Sequence, residues 1–316
     1  MSRYLPVRGR GIVATMEVPS YVYEAAHQRL RARYGERVEP WWASLPDVLA
    51  DLSKRWAVTL DSPLGRGNTS LVMRCHRADG SPAMLKISPD VDIAAAEATA
   101  LQRWARSGRV PTLWAHDARS GALLLEAISS ENPLSEDARP ITLVAVGELA
   151  QQLHRSGDPS VDHGVVTLGD RVDFVFEYWT SRYRHRLDVT DVVPVARLQR
   201  GYEFARRLAI SSPTSVLLHG DLHPANVLNG GESRGLVAID PRACVGDPAF
   251  DLVDWVFWNA EVAAWELRSR DLATLSDAKP DRLWAWCSAF AAMLAATRVA
   301  RGGNSDEVEA LKTLAP

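Results

Sequence analysis

Apolar residues recur at helical spacing over Tyr21 to Tyr34 and again over Leu45 to Trp56, where Pro46 stands at a position suited to a first turn. The period then shortens. Trp56 to Leu60, Leu71 to Arg77 and Ala83 to Ile87 read as strands, the last two joined by the turn cluster Ala78-Asp79-Gly80-Ser81-Pro82. An alanine-rich helix is expected over Asp92 to Arg106, ending near Gly108. Two more strands, Pro111 to Ala115 and Ala122 to Ala127, flank the turn Asp117 to Gly121. Beyond the polar, proline-containing stretch Ser129 to Pro140, the helical period dominates, at Ile141 to Arg155, Phe174 to His185 and Val195 to Leu208. Only Val216 to Leu218, Asn226 to Leu228 and Leu236 to Ile239 read as short strands there. Residues 1–19 hold several Gly and Pro without a period and read as an extended arm, and no internal repeat is visible.

This order predicts an α+β, bilobal arrangement: a strand-rich first part, residues 1–127, and a helix-rich second part, residues 128–316. A ligand would sit in the crevice between them. Composition narrows the function. With 316 residues, 47% hydrophobic and 24% charged, the chain is globular and large enough for two cores. A net charge of −3 lacks the basic footprint of a nucleic-acid binder. No apolar run reaches membrane-spanning length, and no apolar stretch follows the N-terminal arginines as in a signal peptide. Cys75, Cys244 and Cys287 are scattered, as expected of buried thiols in a reducing cytoplasm rather than of a disulfide framework or zinc site. The expected protein is cytoplasmic, with no membrane, nucleic-acid or obligate protein partner.

The stretch with the most chemistry is His219-Gly220-Asp221-Leu222-His223-Pro224-Ala225-Asn226, a polar loop between two apolar strands. About a dozen residues later, Leu236-Val237-Ala238-Ile239 ends in Asp240. Two carboxylates and an amide thus arrive at the ends of short neighbouring strands. Phosphoryl transfer needs such a set: Asp221 to orient and deprotonate an acceptor hydroxyl, Asn226 and Asp240 to hold Mg2+ on the phosphates. Two other readings compete. An Asp-x4-Asn loop is often only turn chemistry, and His219, Asp221 and His223 could line a metal-hydrolase site, although the remaining histidines form no spaced motif.

On the nucleotide side, Lys86 lies in the apolar strand Met84-Leu85-Lys86-Ile87, one of four lysines in the chain, where its charge needs a partner. Glu97 in the following helix is the natural one. Upstream, Gly65-Arg66-Gly67-Asn68-Thr69-Ser70 suits a phosphate-covering hairpin: Gly65 and Gly67 for backbone approach, Asn68, Thr69 and Ser70 as donors.

These motifs resemble the aminoglycoside phosphotransferase superfamily, over most of the chain from about Trp56 onward. The phrase Ala238-Ile239-Asp240-Pro241 and the order of elements resemble most the streptomycin 6-phosphotransferase and hydroxyurea phosphotransferase group. The resemblance implies a protein-kinase-like fold, with Lys86 on the α- and β-phosphates of ATP, GTP being left open, and Glu97 bracing the lysine. It implies adenine contacts from the Glu126 carbonyl and the Ile128 amide, and a supporting role for His154. It also implies transfer to a hydroxyl of a small molecule, streptomycin or a related aminoglycoside first. A peptide antibiotic, hydroxyurea or a metabolic sugar or amino alcohol remains an alternative acceptor, and a nucleotide-binding pseudokinase an alternative of another class.

After Asp240 no long activation segment ending in Ala-Pro-Glu intervenes, which argues against a protein substrate. Asp254 and Glu261, interleaved with Trp255 and Trp258, are candidate contacts for a cationic acceptor. Asp247 and Asp251 are better read as caps or braces of the catalytic loop. Trp284, Trp286 and Phe290 are expected in the core.

Overall fold

The computed structural model describes residues 20–316 apart from 66, 68, 131, 138–140, 162 and 163, with the backbone alone at 20–22; the N-terminal arm lies outside the described residues. The described chain forms two compact units. One comprises the chain up to Gln102 together with Pro111–Ile128, the other Arg103–Val110 together with Ser129–Pro316.

The first unit opens with α1 (Ser20–Tyr34) and α2 (Val38–Trp56). Val38, Leu45, Leu49 and Leu52 fall on one face of α2 and are all buried. Their stripe extends the helix a full two turns upstream of the expected start, so that Pro46 lies inside it rather than in its first turn. Burying four such side chains contributes about 6–12 kcal/mol, against about 3 kcal/mol for an internal proline.

Next come β1 (Val58–Pro63), β2 (Leu71–Arg77), β3 (Pro82–Ile87), α3 (Val91–Arg103), β4 (Leu113–Asp117) and β5 (Ala122–Glu126). The strands form an antiparallel sheet in the order β1-β2-β3-β5-β4. Alternation along β3 divides its side chains: Ala83, Leu85 and Ile87 join the core made with Leu45, Leu49 and Leu52. Lys86 therefore points to the opposite face.

In the second unit, the segment 103–110 is held by residues far along the chain. The Trp104 indole is fully buried, donates to the Leu153 carbonyl at 3.0 Å and stacks on His219 at 6.3 Å between centroids. The Ala238 N–H donates to the Arg109 carbonyl at 2.8 Å. The remaining elements are α4 (Leu143–Ser156), β6 (Val166–Thr167), α5 (Leu168–Tyr183), α6 (Leu187–Thr190), α7 (Val195–Ile210), β7 (Val216–Leu218), β8 (Val227–Asn229), β9 (Leu236–Ala238), β10 (Cys244–Gly246), α8 (Val253–Phe257), α9 (Trp265–Leu275), α10 (Pro280–Ala300) and α11 (Ser305–Leu314).

The helix α10 is long and apolar enough to cross a membrane, but it packs among α7, α9 and α11 and supplies core residues that include Trp286 and Phe290. Two short sheets, β6-β10-β7 and β8-β9, carry the loops of interest. The helix α5 begins six residues before the expected start, because Thr167 and Asp170 form a reciprocal capping box there.

Candidate active site

In the first unit, Glu97 projects from α3 toward the face of β3 that carries Lys86. Their charges meet at 2.6 Å, Nζ to Oε2, with Lys86 only 5% and Glu97 4% exposed. At that depth each charge requires the other.

The glycine loop before β2 is tied to α1. Arg29 Nε donates to the Gly67 carbonyl at 3.2 Å, and the Tyr34 hydroxyl donates to the Thr69 carbonyl at 3.1 Å. Gly67 has φ +110°, and a Cβ there would meet the Ser70 carbonyl at 2.8 Å, so the turn requires glycine. Gly65 stands in open space. Thr69 and Ser70 are buried, and the Thr69 carbonyl also accepts from the Ser88 hydroxyl at 2.9 Å. Asn68 lies outside the described residues. Glu126 ends β5 opposite Ala83, its carboxylate accepting from the Thr112 N–H and hydroxyl, and Ile128 is buried just beyond.

The candidate catalytic loop of the second unit begins where β7 pairs with β10, Leu218 opposite Cys244. At Gly220 (φ +75°) a Cβ would stand 2.0 Å from the Arg242 carbonyl oxygen, so no other residue fits this turn. Beside it, Asp251 is buried and accepts the His219 N–H and Gly220 N–H, each at 2.8 Å, and His154 Nε2 at 3.0 Å. Asp251 and His154 thus brace the loop. Asp247 caps the turn leading to Asp251 through the Ala249 N–H and also accepts from the Trp286 indole and Arg282.

His219 is fully buried; burial pushes its pKa down despite the charges of Asp251 and Asp221, and the neutral ring donates Nε2–H to the Ile239 carbonyl at 3.0 Å. Its Nε2 is thereby committed to the backbone, which argues against the metal-hydrolase reading. Among the described residues no cluster of three or more His, Cys, Asp or Glu side chains could hold a metal.

The Asp221 carboxylate is held from two sides. Arg171 Nη2 donates to Oδ1 at 3.0 Å, and Asn226 Nδ2 donates to Oδ2 at 3.1 Å and to the Asp221 carbonyl at 3.0 Å. Burial pulls the Asp221 pKa upward, but His223 and the charge of Arg171 outweigh it and hold the carboxyl well below its ordinary value. His223 Nε2 stands 3.7 Å from Oδ2, an ion-pair distance rather than a hydrogen bond. Burial disfavours its charge too, yet Asp221, Asp254 and Asp240 raise its pKa on balance. Asn226 and Asp240 are brought together by the β8-β9 hairpin. Val227 pairs with Ala238, and the Ile239 N–H donates to the Asn226 carbonyl at 2.9 Å. Asp240 follows with φ +57°, a left-handed conformation that aspartate tolerates better than most residues.

Of the expected acceptor residues, Asp254 and Glu261 are exposed and Trp258 is partly so. Asp254 is open to water yet recessed among protein atoms, which together with the charge of Asp221 raises its pKa against the pull of His223 and Arg298. Trp255 corrects the expectation: it is fully buried, packed edge-on against Trp258 at 5.5 Å, and presents no face to a ligand. Its apolar neighbours Val253, Val256 and Phe257 are buried with it and make that turn of α8 core. Arg171 went unnoticed in the sequence because nothing distinguishes one arginine on a helix from the many others.

The sheet-plus-helix first unit and the loop geometry of the second are those of protein-kinase-like phosphotransferases. A macrolide 2′-phosphotransferase from Brachybacterium faecium shares the fold, with TM-score 0.54 and 21% identity over 85% of this chain and 97% of that one. Residues 55–303 match the family described as aminoglycoside/hydroxyurea antibiotic resistance kinase, and the chain belongs to that family. A streptomycin 6-kinase of Streptomyces griseus is 34% identical over 234 residues, 73% of this chain and 71% of the relative. A hydroxyurea phosphotransferase of Kitasatospora aureofaciens is 32% identical over 250 residues, 77% of this chain and 69% of the relative. The protein is a small-molecule kinase.

Proposed function

We propose that this kinase transfers the γ-phosphoryl group of ATP to a hydroxyl of a cationic aminoglycoside, with streptomycin the first candidate, and so inactivates the antibiotic. The observation that carries the reading is the Asp221 carboxylate, fixed on both oxygens yet 37% exposed, on a loop whose hairpin sets Asn226 beside Asp240. Membership of the family and the streptomycin 6-kinase relative support the choice of acceptor.

The acceptor hydroxyl donates its hydrogen bond to Asp221. Its oxygen forms the new bond to the γ-phosphorus while the bond to the β-phosphate bridging oxygen breaks, and ADP leaves with that electron pair. Because the pKa of Asp221 is depressed, the carboxylate is a weak base that orients first and takes the proton late. Lys86, held by Glu97, contributes its positive charge to the α- and β-phosphates. Asn226 donates through Nδ2 to Asp221, and its Oδ1 has no hydrogen-bonding partner among the described residues, so Oδ1 together with the Asp240 carboxylate suits a hard divalent cation. Magnesium bound there would neutralise charge across the β- and γ-phosphates. Asp254 and Glu261 supply negative charge and Trp258 an aromatic face for a cationic sugar.

The test is magnesium-dependent ADP formation across aminoglycosides, peptide antibiotics, hydroxyurea and simple sugars, with Asp221→Asn beside the native protein. Turnover on streptomycin that falls by at least about a hundredfold in the variant supports the reading. An Asp221→Asn variant as active as the native protein sinks the assignment, and turnover on hydroxyurea or a sugar alone replaces the acceptor.

A further inference from the structure

The catalytic loop has two sides, and Asp251 serves only one of them. It accepts the N–H groups of His219 and Gly220, which leaves the Gly220 carbonyl and the Asp221 carboxylate to be met from elsewhere. Arg171 meets both: Nε donates to the Gly220 carbonyl at 2.8 Å and Nη2 to Asp221 Oδ1 at 3.0 Å.

The arginine is delivered by a pinned helix end. Thr167 accepts the Asp170 N–H at 3.2 Å, and the Asp170 carboxylate accepts the Thr167 N–H at 3.1 Å. β6 runs parallel beside β10, and Leu168 packs so close to Gly246 that a Cβ there would stand 2.4 Å from it. One turn into α5, the Arg171 side chain is 10% exposed, with the Phe174 ring centroid 5.5 Å from its guanidinium carbon. A buried cation with two directed contacts on one loop is a geometric device, since a planar guanidinium holds two acceptors in fixed relation.

We infer that Arg171 is a positioning residue for phosphoryl transfer: its guanidinium locks the Asp221 carboxylate to the loop backbone in the orientation that receives the acceptor hydroxyl. The inference rests on the reading of Asp221 given above. With Asn226 on Oδ2 and Arg171 on Oδ1, the carboxylate plane cannot rotate, so each oxygen keeps its remaining lone pair in one direction. A lysine at 171 can reach one acceptor at a time and restores only part of the constraint.

The experiment compares native protein with Arg171→Met, Arg171→Lys and Arg171→Ala, using Mg·ATP with streptomycin and, separately, Mg·ATP with water as the acceptor. In Arg171→Met, kcat falls about 10- to 150-fold, the loss expected for a charged hydrogen bond, while KM for ATP and for streptomycin stays within about threefold. Arg171→Lys falls between. Millimolar guanidinium restores part of the kcat of Arg171→Ala and does nothing for the native protein. A role confined to folding would lower kcat in step with thermal stability, and guanidinium would then worsen matters. The inference is overturned if Arg171→Met keeps kcat within twofold, or if guanidinium fails to rescue and KM for ATP rises as much as kcat falls. If Arg171→Met does not fold, the Lys variant and its partial kcat carry the test. Should the native protein ignore streptomycin, the acceptor assignment fails, and the ratio of variant to native water-dependent ATP hydrolysis still reads Arg171.

Discussion

Replacing Asp251 by asparagine changes one atom and removes one charge, in a place where every bond to that side chain is known. The carboxylate accepts three hydrogen bonds, from the His219 N–H, the Gly220 N–H and His154 Nε2. An amide of the same shape can keep its oxygen on the side that meets His219 and His154. Its NH2 then faces the Gly220 N–H, donor against donor. One charge-assisted bond is lost, about 1.5–3 kcal/mol, and the two that remain fall to roughly half strength on becoming neutral. The sum is about 3–6 kcal/mol. For a helical unit of this size that lowers the melting temperature by about 10 °C. Hydrogen exchange gives the specific readout, because the His219 and Gly220 amides should exchange faster in the variant while the α10 amides change only in step with the global stability. Turnover should fall as well, since Asp221 comes directly after Gly220. Asp277→Asn is the control: that carboxylate is exposed, bonded to Gln151 and Arg155, and its φ of +60° suits asparagine. It should cost under about 0.5 kcal/mol. An Asp251→Asn variant with a native melting temperature, unchanged exchange at 219 and 220 and full turnover would refute the reasoning.

The first unit offers two further tests. Lys86→Met removes the cation that meets Glu97 in the interior, which should cost about 3–5 kcal/mol and abolish turnover; adding Glu97→Met should recover the melting temperature without recovering activity, measured by thermal unfolding and ADP formation side by side. Asp117 supplies a pH test. Burial pulls its pKa up, but the Ser120 N–H, the Arg55 guanidinium and the Ser120 hydroxyl outweigh burial and hold it at about 2. Its folded pKa lies below the unfolded value, so its stabilising contribution is complete above about pH 4 and fades as the pH falls toward about 2. Asp117→Asn should therefore melt lower than the native protein at neutral pH, and the difference should shrink steadily with acid. A gap that widens with acid would contradict the assignment.

Much of this arrangement was legible in the chain because it is written in local terms. Alternation along Ala83 to Ile87 predicts which face Lys86 takes, and the motif from His219 to Asn226 with Asp240 beyond it is confined to about twenty residues whose hairpin register aligns them. Contacts that depend on how distant elements dock leave no such trace. The role of Arg171 depends on Leu168 packing against Gly246, residues nearly eighty positions apart, and a lone arginine carries no sign of that. Strand β10 is three residues long and makes sense only once β7 lies beside it. Trp255 and Trp258 look alike in sequence, and only the side of α8 that meets the core tells them apart. Pro46 misled because proline is commonest in first turns, whereas the apolar stripe of α2 was strong enough to absorb it.

The segment that carries Trp104 and Arg109 leaves one unit for the other and returns, so the chain crosses that boundary three times rather than once. No single cut can therefore part the protein into two self-sufficient pieces. A fragment ending near residue 128 would present an indole whose acceptor at Leu153 and stacking partner at His219 have not been made, and a fragment starting at 129 would lack that indole. The same geometry constrains descent. A single recombination event near residue 129 would replace most of the second unit while leaving its residues 103–110 behind.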